Sequence, residues 1–494
     1  MRYSDLPRSV NLASYFVDRN PPDRTALITS AGAVTYGRLA ARTNQMGNAL
    51  LELGVRQGDR VLLALSDSVD FVAAWYGAQK IGAVTAEVYT FLQVKDYQYF
   101  VDYVSPSAVL ADAATADKLR TAGARNLVVV DESFAAGQPV TLPAAPTTKD
   151  DVAIWKFTTG STGAPKACVL PARSPLLSFE WYARGVLGIQ PDDVVLPVPK
   201  LFFGYSRDLT ALFPFGVGAA GIVFPERSTV EKLFELIAAH RPTILVNVPT
   251  MMSAMVAHPA AAEQDFSSLR LCTSAGEALP AELHRRWMDT FGVEVVDGIG
   301  SSEAYHIYLS NRPGHARQGS LGQVVPGYRA EVVDLDGTPL PDGEAGRLEI
   351  TGETVALQYW QAPEKSAETF PREHTVRSGD LVTRDADGFF YYQGRADDLL
   401  KVGGVWVAPA EIENCLLAHP AVVECAVVGY EEDGLARPRA FVVVTGEVTA
   451  TELRDFVKSK LAPHKYPRDV RIVESLPKTA SGKLDRRALK GDNQ

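Results

Sequence analysis

The chain has 494 residues, more than one ordinary hydrophobic core serves, so two or three structural units are expected. With 46% apolar and 22% charged residues, the composition is that of a soluble globular protein, and 49 Lys and Arg against 59 Asp and Glu give a formal charge of −10. An acidic balance without basic blocks excludes nucleic acid or an anionic membrane as the main partner, so a polyanion site must gather its positive charge locally.

The N-terminus, Met1-Arg-Tyr-Ser-Asp-Leu-Pro7, carries no apolar signal core. From there, short apolar runs alternate with helical periodicity. Tyr36–Leu53, Val69–Ile81 and Val230–His240 read as amphipathic helices. Arg60–Leu65, Ala108–Ala111, Asn126–Asp131, Thr243–Val248 and Val293–Asp297 read as strands. This alternation predicts an α/β fold with layered, largely parallel sheets. Phe134–Thr148, rich in Ala, Pro and Thr, reads as a loop. The longest apolar run, Ala211–Pro225, is broken by glycine and proline and falls short of a membrane span. Four scattered cysteines (Cys168, Cys272, Cys415 and Cys425) show no CxxC pairing, which argues against disulfides or zinc and for a cytoplasmic protein.

From about Gly327 the texture changes to alternating residues and Asp-Gly turns, predicting a small antiparallel β part over 327–393. A boundary follows at Gly394-Arg-Ala-Asp-Asp398, and residues 399–494 have their own α+β rhythm. There the expected order is helix Ala410–Ala418, strands Glu424–Val428 and Arg439–Thr445, helix Thr449–Leu461 and strand Val470–Val473. The reading is therefore a large N-terminal domain over 1–393, a hinge at 394–398 and a small mobile C-terminal domain.

The most informative stretch is Phe157-Thr-Thr-Gly-Ser-Thr-Gly-Ala-Pro-Lys166, delivered by the apolar run Val152–Trp155. Glycines Gly160 and Gly163 let backbone N–H groups approach a polyanion; the hydroxyls of Thr158, Thr159, Ser161 and Thr162 and the ammonium of Lys166 add donors suited to phosphate. The spacing is not that of a Walker loop, which needs glycine at Pro165 and a hydroxyl at Ala167. Four more clusters join it: Asp297-Gly-Ile-Gly-Ser-Ser-Glu303, Ser378-Gly-Asp380, Gly394 through Glu413, and Pro477-Lys-Thr-Ala-Ser-Gly-Lys483. A glutamate such as Glu303 suits Mg²⁺ held against phosphates, and an aspartate such as Asp380 suits two ribose hydroxyls. Taken singly, each cluster is equally what a surface turn, a linker or a solvated tail lysine looks like.

In this order and spacing the five clusters resemble the adenylate-forming superfamily of acyl-CoA synthetases, nonribosomal adenylation domains and luciferases, over essentially the whole chain. The resemblance implies attack of a carboxylate on the α-phosphate of ATP, then, after rotation of the small domain, transfer of the acyl group to a thiol, usually that of CoA. It implies that Thr158–Lys166 covers the β- and γ-phosphates, that Glu303 binds Mg²⁺ and that Ser302 touches the α-phosphate. It places Asp380 on the ribose, Arg395 on ribose or phosphate, and Gly276, Glu277, Asp297 and Gly298 in the same nucleotide site. Asp397 becomes the hinge residue, Gly403 and Gly404 the wall of the pantetheine tunnel, and Lys483 the bridge between carboxylate and α-phosphate.

Within the superfamily, Lys200-Leu-Phe-Phe-Gly-Tyr205 and Gly300–Gly314 look most like benzoate-CoA ligases and related aryl-CoA ligases. By that likeness Phe203 gates the carboxylate, and Gly204, Tyr205, Ala275, Gly300, His306 and Ile307 line an aryl pocket in which glycine leaves room and tyrosine offers a face. Two departures point to a substituted benzoate, such as an amino- or hydroxybenzoate. Gly204 replaces the usual alanine and so releases a methyl's worth of space, and Ser206-Arg207-Asp208 replaces blander residues. Arg207 either pairs with Asp208 or faces solvent. The expected partners are a small aromatic acid, ATP, Mg²⁺ and CoA, with a homodimer left open. A carrier protein in place of CoA is the first alternative, and a catalytically dead nucleotide-binding regulator is the second.

Overall fold

The computed structural model describes residues 1–158, 164–402, 405–432, 435–463, 465–478 and 484–491. Two sheets dominate the first 360 of these positions. One runs in the order Gln323–Val324, Ile307–Ser310, Val295–Gly300, Leu271–Ser274, Ile244–Asn247, Val194–Pro197, Ala220–Ile222, Thr25–Thr29 and Gly32–Thr35. Its inner strands are parallel and its edges antiparallel. The other runs Gln358–Tyr359, Lys166–Pro171, Val152–Thr158, Val84–Glu87, Arg60–Ala64, Ala108–Ala111 and Leu127–Val129, again parallel at the centre. Strands such as Ala108–Ala111, Ile244–Asn247 and Leu271–Ser274 are buried at every residue, as parallel strands covered on both faces must be.

The covering helices begin where capping residues stand. Thr35, Ser68 and Thr229 accept the backbone N–H three residues on and start Tyr36–Glu52, Val69–Lys80 and Val230–His240. The expected helices are therefore present within a residue, and Phe134–Thr148 is irregular. The apolar run Ala211–Pro225 forms no long helix. It ends a helix, makes the turn Pro214–Gly216 and pairs as Ala220–Ile222 inside the first sheet. Among the described residues, no helix is long and apolar enough to cross a membrane.

Arg329–Val333, Gly346–Thr351, Thr375–Arg384 and Phe390–Arg395 form a four-stranded antiparallel sheet. The last strand ends at Arg395 in the short turn Ala396–Asp398. Beyond it, Val422–Glu432, Leu435–Val444 and Asp469–Ile472 make a separate sheet packed by Pro409–Leu417 and Ala450–Lys460. These two long strands run past the expected ends Val428 and Arg439, since the ladder continues from Tyr430–Arg437 through Glu431–Ala436 to Glu432–Leu435. Hydrophobicity marks where a strand is buried, and hydrogen bonding decides where it stops.

Candidate active site

The strand Val152–Thr158 turns back as Lys166–Pro171, with Thr158 paired to Lys166. Thr159, Gly160, Ser161, Thr162 and Gly163, which carry most of the expected phosphate loop, lie outside the described residues. Pro165, at the loop's far end, is held by the Tyr99 hydroxyl, which donates to its carbonyl at 2.5 Å. The ammonium of Lys166 lies 5.8 Å from the centre of the Tyr359 ring. Tyr359 in turn donates its hydroxyl to Glu303 Oε1 at 2.6 Å. Tyr359 was not among the expected site residues; no motif surrounds it, and only tertiary packing brings it here.

Ser302 and Glu303 sit in the turn joining Val295–Gly300 to Ile307–Ser310. The Ser302 hydroxyl donates to the Phe157 carbonyl at 3.4 Å, which ties this turn to the strand entering the phosphate loop. Among the described residues no group of three or more His, Cys, Asp or Glu side chains is placed to cage an ion. A single carboxylate such as Glu303, beside phosphate oxygens and water, is a donor set of the kind magnesium takes.

Asp380 and Arg395 are directly opposite each other on neighbouring strands, and Arg395 Nη1 donates to Asp380 Oδ1 at 3.2 Å. The Ser378 hydroxyl donates to the other oxygen, Oδ2. Each carboxylate oxygen keeps a second lone pair for a further donor, which suits a pair of ribose hydroxyls. Gly379 lies close under this pair: a Cβ on it would be 2.7 Å from an Arg395 guanidinium nitrogen, so a side chain there would push the arginine aside. Asp397 lies in the turn after Arg395, and its neighbour Asp398 faces Arg486 at 4.0 Å and Lys490 at 3.8 Å. Leu400–Val402 and Val405–Val407 are paired strands, and Gly403, Gly404 and Lys483 lie outside the described residues.

Gly276 has a φ of +89°, a left-handed conformation that favours glycine, and follows the buried Ala275 at the end of Leu271–Ser274. Glu277 accepts the Thr250 hydroxyl at 2.6 Å. Asp297 is buried, its Oδ1 has no hydrogen-bond partner among the described residues, and burial pushes its pKa up to about 8. Gly298 lets two strands close, since a Cβ there would lie 2.6 Å from the Leu309 carbonyl.

Of the residues expected to line an aryl pocket, Phe203, Tyr205 and His306 form a chain of ring contacts. His306 is buried among Tyr182, Tyr205, Phe213 and Tyr305, with ring centres 5.4, 5.8, 4.9 and 6.4 Å away. Phe203 meets Tyr205 edge-on at 6.3 Å, the Tyr205 hydroxyl shares a 2.6 Å hydrogen bond with Thr273, and Ile307 is buried beside them. Burial pushes His306 down to about 3, so its imidazole is neutral. Its Nε2 faces the Tyr205 carbonyl at 3.4 Å, an acceptor, which makes Nε2 the protonated nitrogen. Nδ1 is then an acceptor, buried and without a donor among the described residues.

Two glycine expectations require correction. The space released at Gly204 does not belong to the pocket: a Cβ there would lie 2.6 Å from Lys156 Cε and 2.7 Å from its Nζ, so the lysine stem occupies it. Likewise a Cβ on Gly300 would lie 2.5 Å from the His306 carbonyl, so closure of its own hairpin takes that room. Arg207 is also settled. It is 2% exposed, donates from Nη2 to Asp208 at 2.7 Å and from Nη1 to Glu87 at 2.5 Å, and does not face solvent. Lys156, a single charge in the strand Val152–Thr158, is the signal in the sequence for this cluster, and it falls between the apolar run Val152–Trp155 and the expected loop that begins at Phe157.

A family model of AMP-binding enzymes matches residues 15–360, and one of the AMP-binding enzyme C-terminal domain matches 411–483. The chain belongs to the AMP-binding enzyme family. Among its relatives in this family is the benzoate–CoA ligase of Thauera aromatica, 42% identical over 98% of this chain and 96% of that one. An anthranilate CoA ligase solved with anthranoyl-AMP superposes with a TM-score of 0.96 at 36% identity, covering 100% of this chain and 99% of that one. A benzoate CoA ligase from Burkholderia xenovorans LB400 superposes with a TM-score of 0.92 at 39% identity, over 97% and 100%. As a member of the family the chain keeps both matched parts in the expected order along one polypeptide.

Proposed function

We propose that this chain is an ATP-dependent aryl-CoA ligase. It joins a benzoate-type carboxylate to the α-phosphate of ATP, releases pyrophosphate, and passes the aroyl group from the aroyl-AMP to the thiol of CoA, releasing AMP. The named relatives support the reaction, and the ring cluster around His306 supports an aromatic acid. In this reading Thr158–Lys166 holds the β- and γ-phosphates, with Gly276, Glu277, Asp297 and Gly298 in the nucleotide site. Glu303 is the protein's ligand to Mg²⁺, which when bound neutralises phosphate charge. Ser302 contacts the α-phosphate, Asp380 the ribose, and Arg395 steadies Asp380 and reaches the nucleotide. Residues 1–393 bind ATP and acid, 394–398 with Asp397 form the hinge, and 399–494 bring Lys483 to the reacting pair and Gly403–Gly404 to the pantetheine.

The acid itself is an amino- or hydroxybenzoate. The observation that carries this choice is His306 Nδ1, a buried acceptor without a donor. A ring amino or hydroxyl group supplies one, whereas bare benzoate leaves a buried polar atom unpaired, at a cost of about 1–3 kcal/mol. Pyrophosphate release measured with benzoate and its amino and hydroxy derivatives, with and without CoA, tests both levels. Preference for a donor-bearing ring by about tenfold or more in kcat/KM is expected. Preference for bare benzoate refutes the substituent, adenylate formed without thioester on CoA favours a carrier-protein acceptor, and silence with every acid refutes the ligase.

A further inference from the structure

Between strand Val152–Thr158 and helix Gly204–Ala211 lies a buried cluster of four charges that the proposed reaction does not use. Lys156 Nζ donates to Asp208 Oδ2 at 2.6 Å, and Arg207 spans Asp208 Oδ1 and Glu87 Oε1. Trp75 donates its indole N–H to the same Glu87 oxygen at 2.5 Å. Two cations face two carboxylates, so the cluster is neutral as a set, and removing any one member strands a buried charge.

Lys156 has a second hydrogen bond, to the carbonyl of Tyr305 at 2.7 Å, and its ammonium lies 3.6 Å from the centre of the Tyr305 ring. Tyr305 has a φ of +76°, a left-handed conformation costly for a side chain of this size. It is the joint between Glu303, on the phosphate side, and His306, on the acid side. The carbonyls through this turn are held by distant parts of the chain, among them Thr354 with Ala356 and Lys156. Glu303 O accepts from the Ala356 amide at 2.8 Å, Ala304 O from the Thr354 hydroxyl at 2.9 Å, and Tyr305 O from Lys156. The last is the only one of these three with a charged donor. The lysine stem also fills the space beside Gly204, between the gate residue Phe203 and Tyr205.

We propose that Lys156 is the positioning residue of the acid pocket: by holding the Tyr305 carbonyl it sets the left-handed joint that orients His306 toward the ring of the acid. Asp208 holds the ammonium in place, and Arg207 with Glu87 balances the charge. This rests on the aryl-CoA ligase reading, and its test separates the two. Lys156→Met keeps the stem and removes the charge, leaving the cluster one negative charge in excess. Lys156→Met with Asp208→Asn restores neutrality, and the asparagine oxygen still accepts from Arg207, but the Tyr305 carbonyl stays without its cation.

The single variant is expected to unfold several degrees earlier, and the double variant to recover that loss. In the double variant the KM for the aromatic acid rises about tenfold or more while the KM for ATP stays within about twofold. Its preference for donor-bearing rings over bare benzoate shrinks toward parity. Recovery of both midpoint and acid KM reduces Lys156 to charge balance and overturns the proposal. Recovery of neither assigns the cluster to core stability alone and overturns it equally, as does recovery of the acid KM without the midpoint. A wild-type protein that activates no benzoate refutes the ligase reading instead, before any variant is made.

Discussion

Asp297 is a carboxyl group kept from water, 4% exposed and pushed by burial up to about 8. An acid whose folded pKa is raised above its unfolded value binds more protons in the native state between the two values. Stability from this residue is therefore fully present below about pH 4 and is lost as pH rises through about 8. Asp297→Asn removes the titration. Its unfolding free energy relative to wild type is expected to climb with pH over that window, by about 1.4 kcal/mol for each unit by which the fold raises the pKa, and to level off above about pH 8. Urea unfolding at a series of pH values measures the gap; a gap that does not change with pH means the group is ionised in the fold. Asp297 was legible as a residue of interest from its motif. Its buried state was not, because Ser274, its register partner on the neighbouring strand, lies far off in sequence.

The hairpin of Val295–Gly300 and Ile307–Ser310 carries the candidate magnesium ligand and the candidate acid contact on one short element. A methyl on Gly300 meets the backbone of His306 and Ile307, which cannot swing aside as a side chain can, so Gly300→Ala is expected to spread the hairpin and destabilise the fold by about 1–3 kcal/mol. The urea midpoint measures this, and an unchanged midpoint shows that the turn yields without cost. The apolar run Val293–Asp297 announced the first strand of this element, and the second was hidden in Gly300–Gly314. The reason is physical: the turn is closed by Lys156, Thr354 and Ala356, so no local pattern specifies it. The same distance effect hid Tyr359, whose hydroxyl reaches Glu303 from a strand 56 residues away.

On the scale of the whole molecule, the large sheets and the C-terminal sheet are joined through Ala396–Asp398. Arg486, three positions past Lys483, is gripped by Glu413 at 2.6 and 2.9 Å and donates to the Val427 carbonyl at 2.8 Å, which binds its segment to the small sheet. In our proposal that unit carries Lys483 to two approaching anions, where a preorganised cation stabilises the charge that develops. Lys483→Ala is expected to slow adenylate formation by roughly 10²-fold or more, with thioester formation from supplied aroyl-AMP retained. Equal loss in both half-reactions, followed by pyrophosphate release and by thioester yield, refutes the role given to Lys483.

Taken alone, the chain's order of motifs was enough to determine the layered α/β fold and the family, because glycine turns, hydroxyl-rich loops and apolar periods are local patterns written in consecutive residues. The candidate aryl-pocket residues were also proposed from such a motif. Only the tertiary structure decided what surrounds them. It assigned the space at Gly204 to Lys156, turned Arg207 inward to Glu87 and Asp208, and left His306 Nδ1 as a buried acceptor. Arg207 and Glu87 stand 120 positions apart, and Lys156 and Gly204 belong to different elements; the strength of a charge or hydrogen bond depends on a burial that no local stretch of sequence encodes.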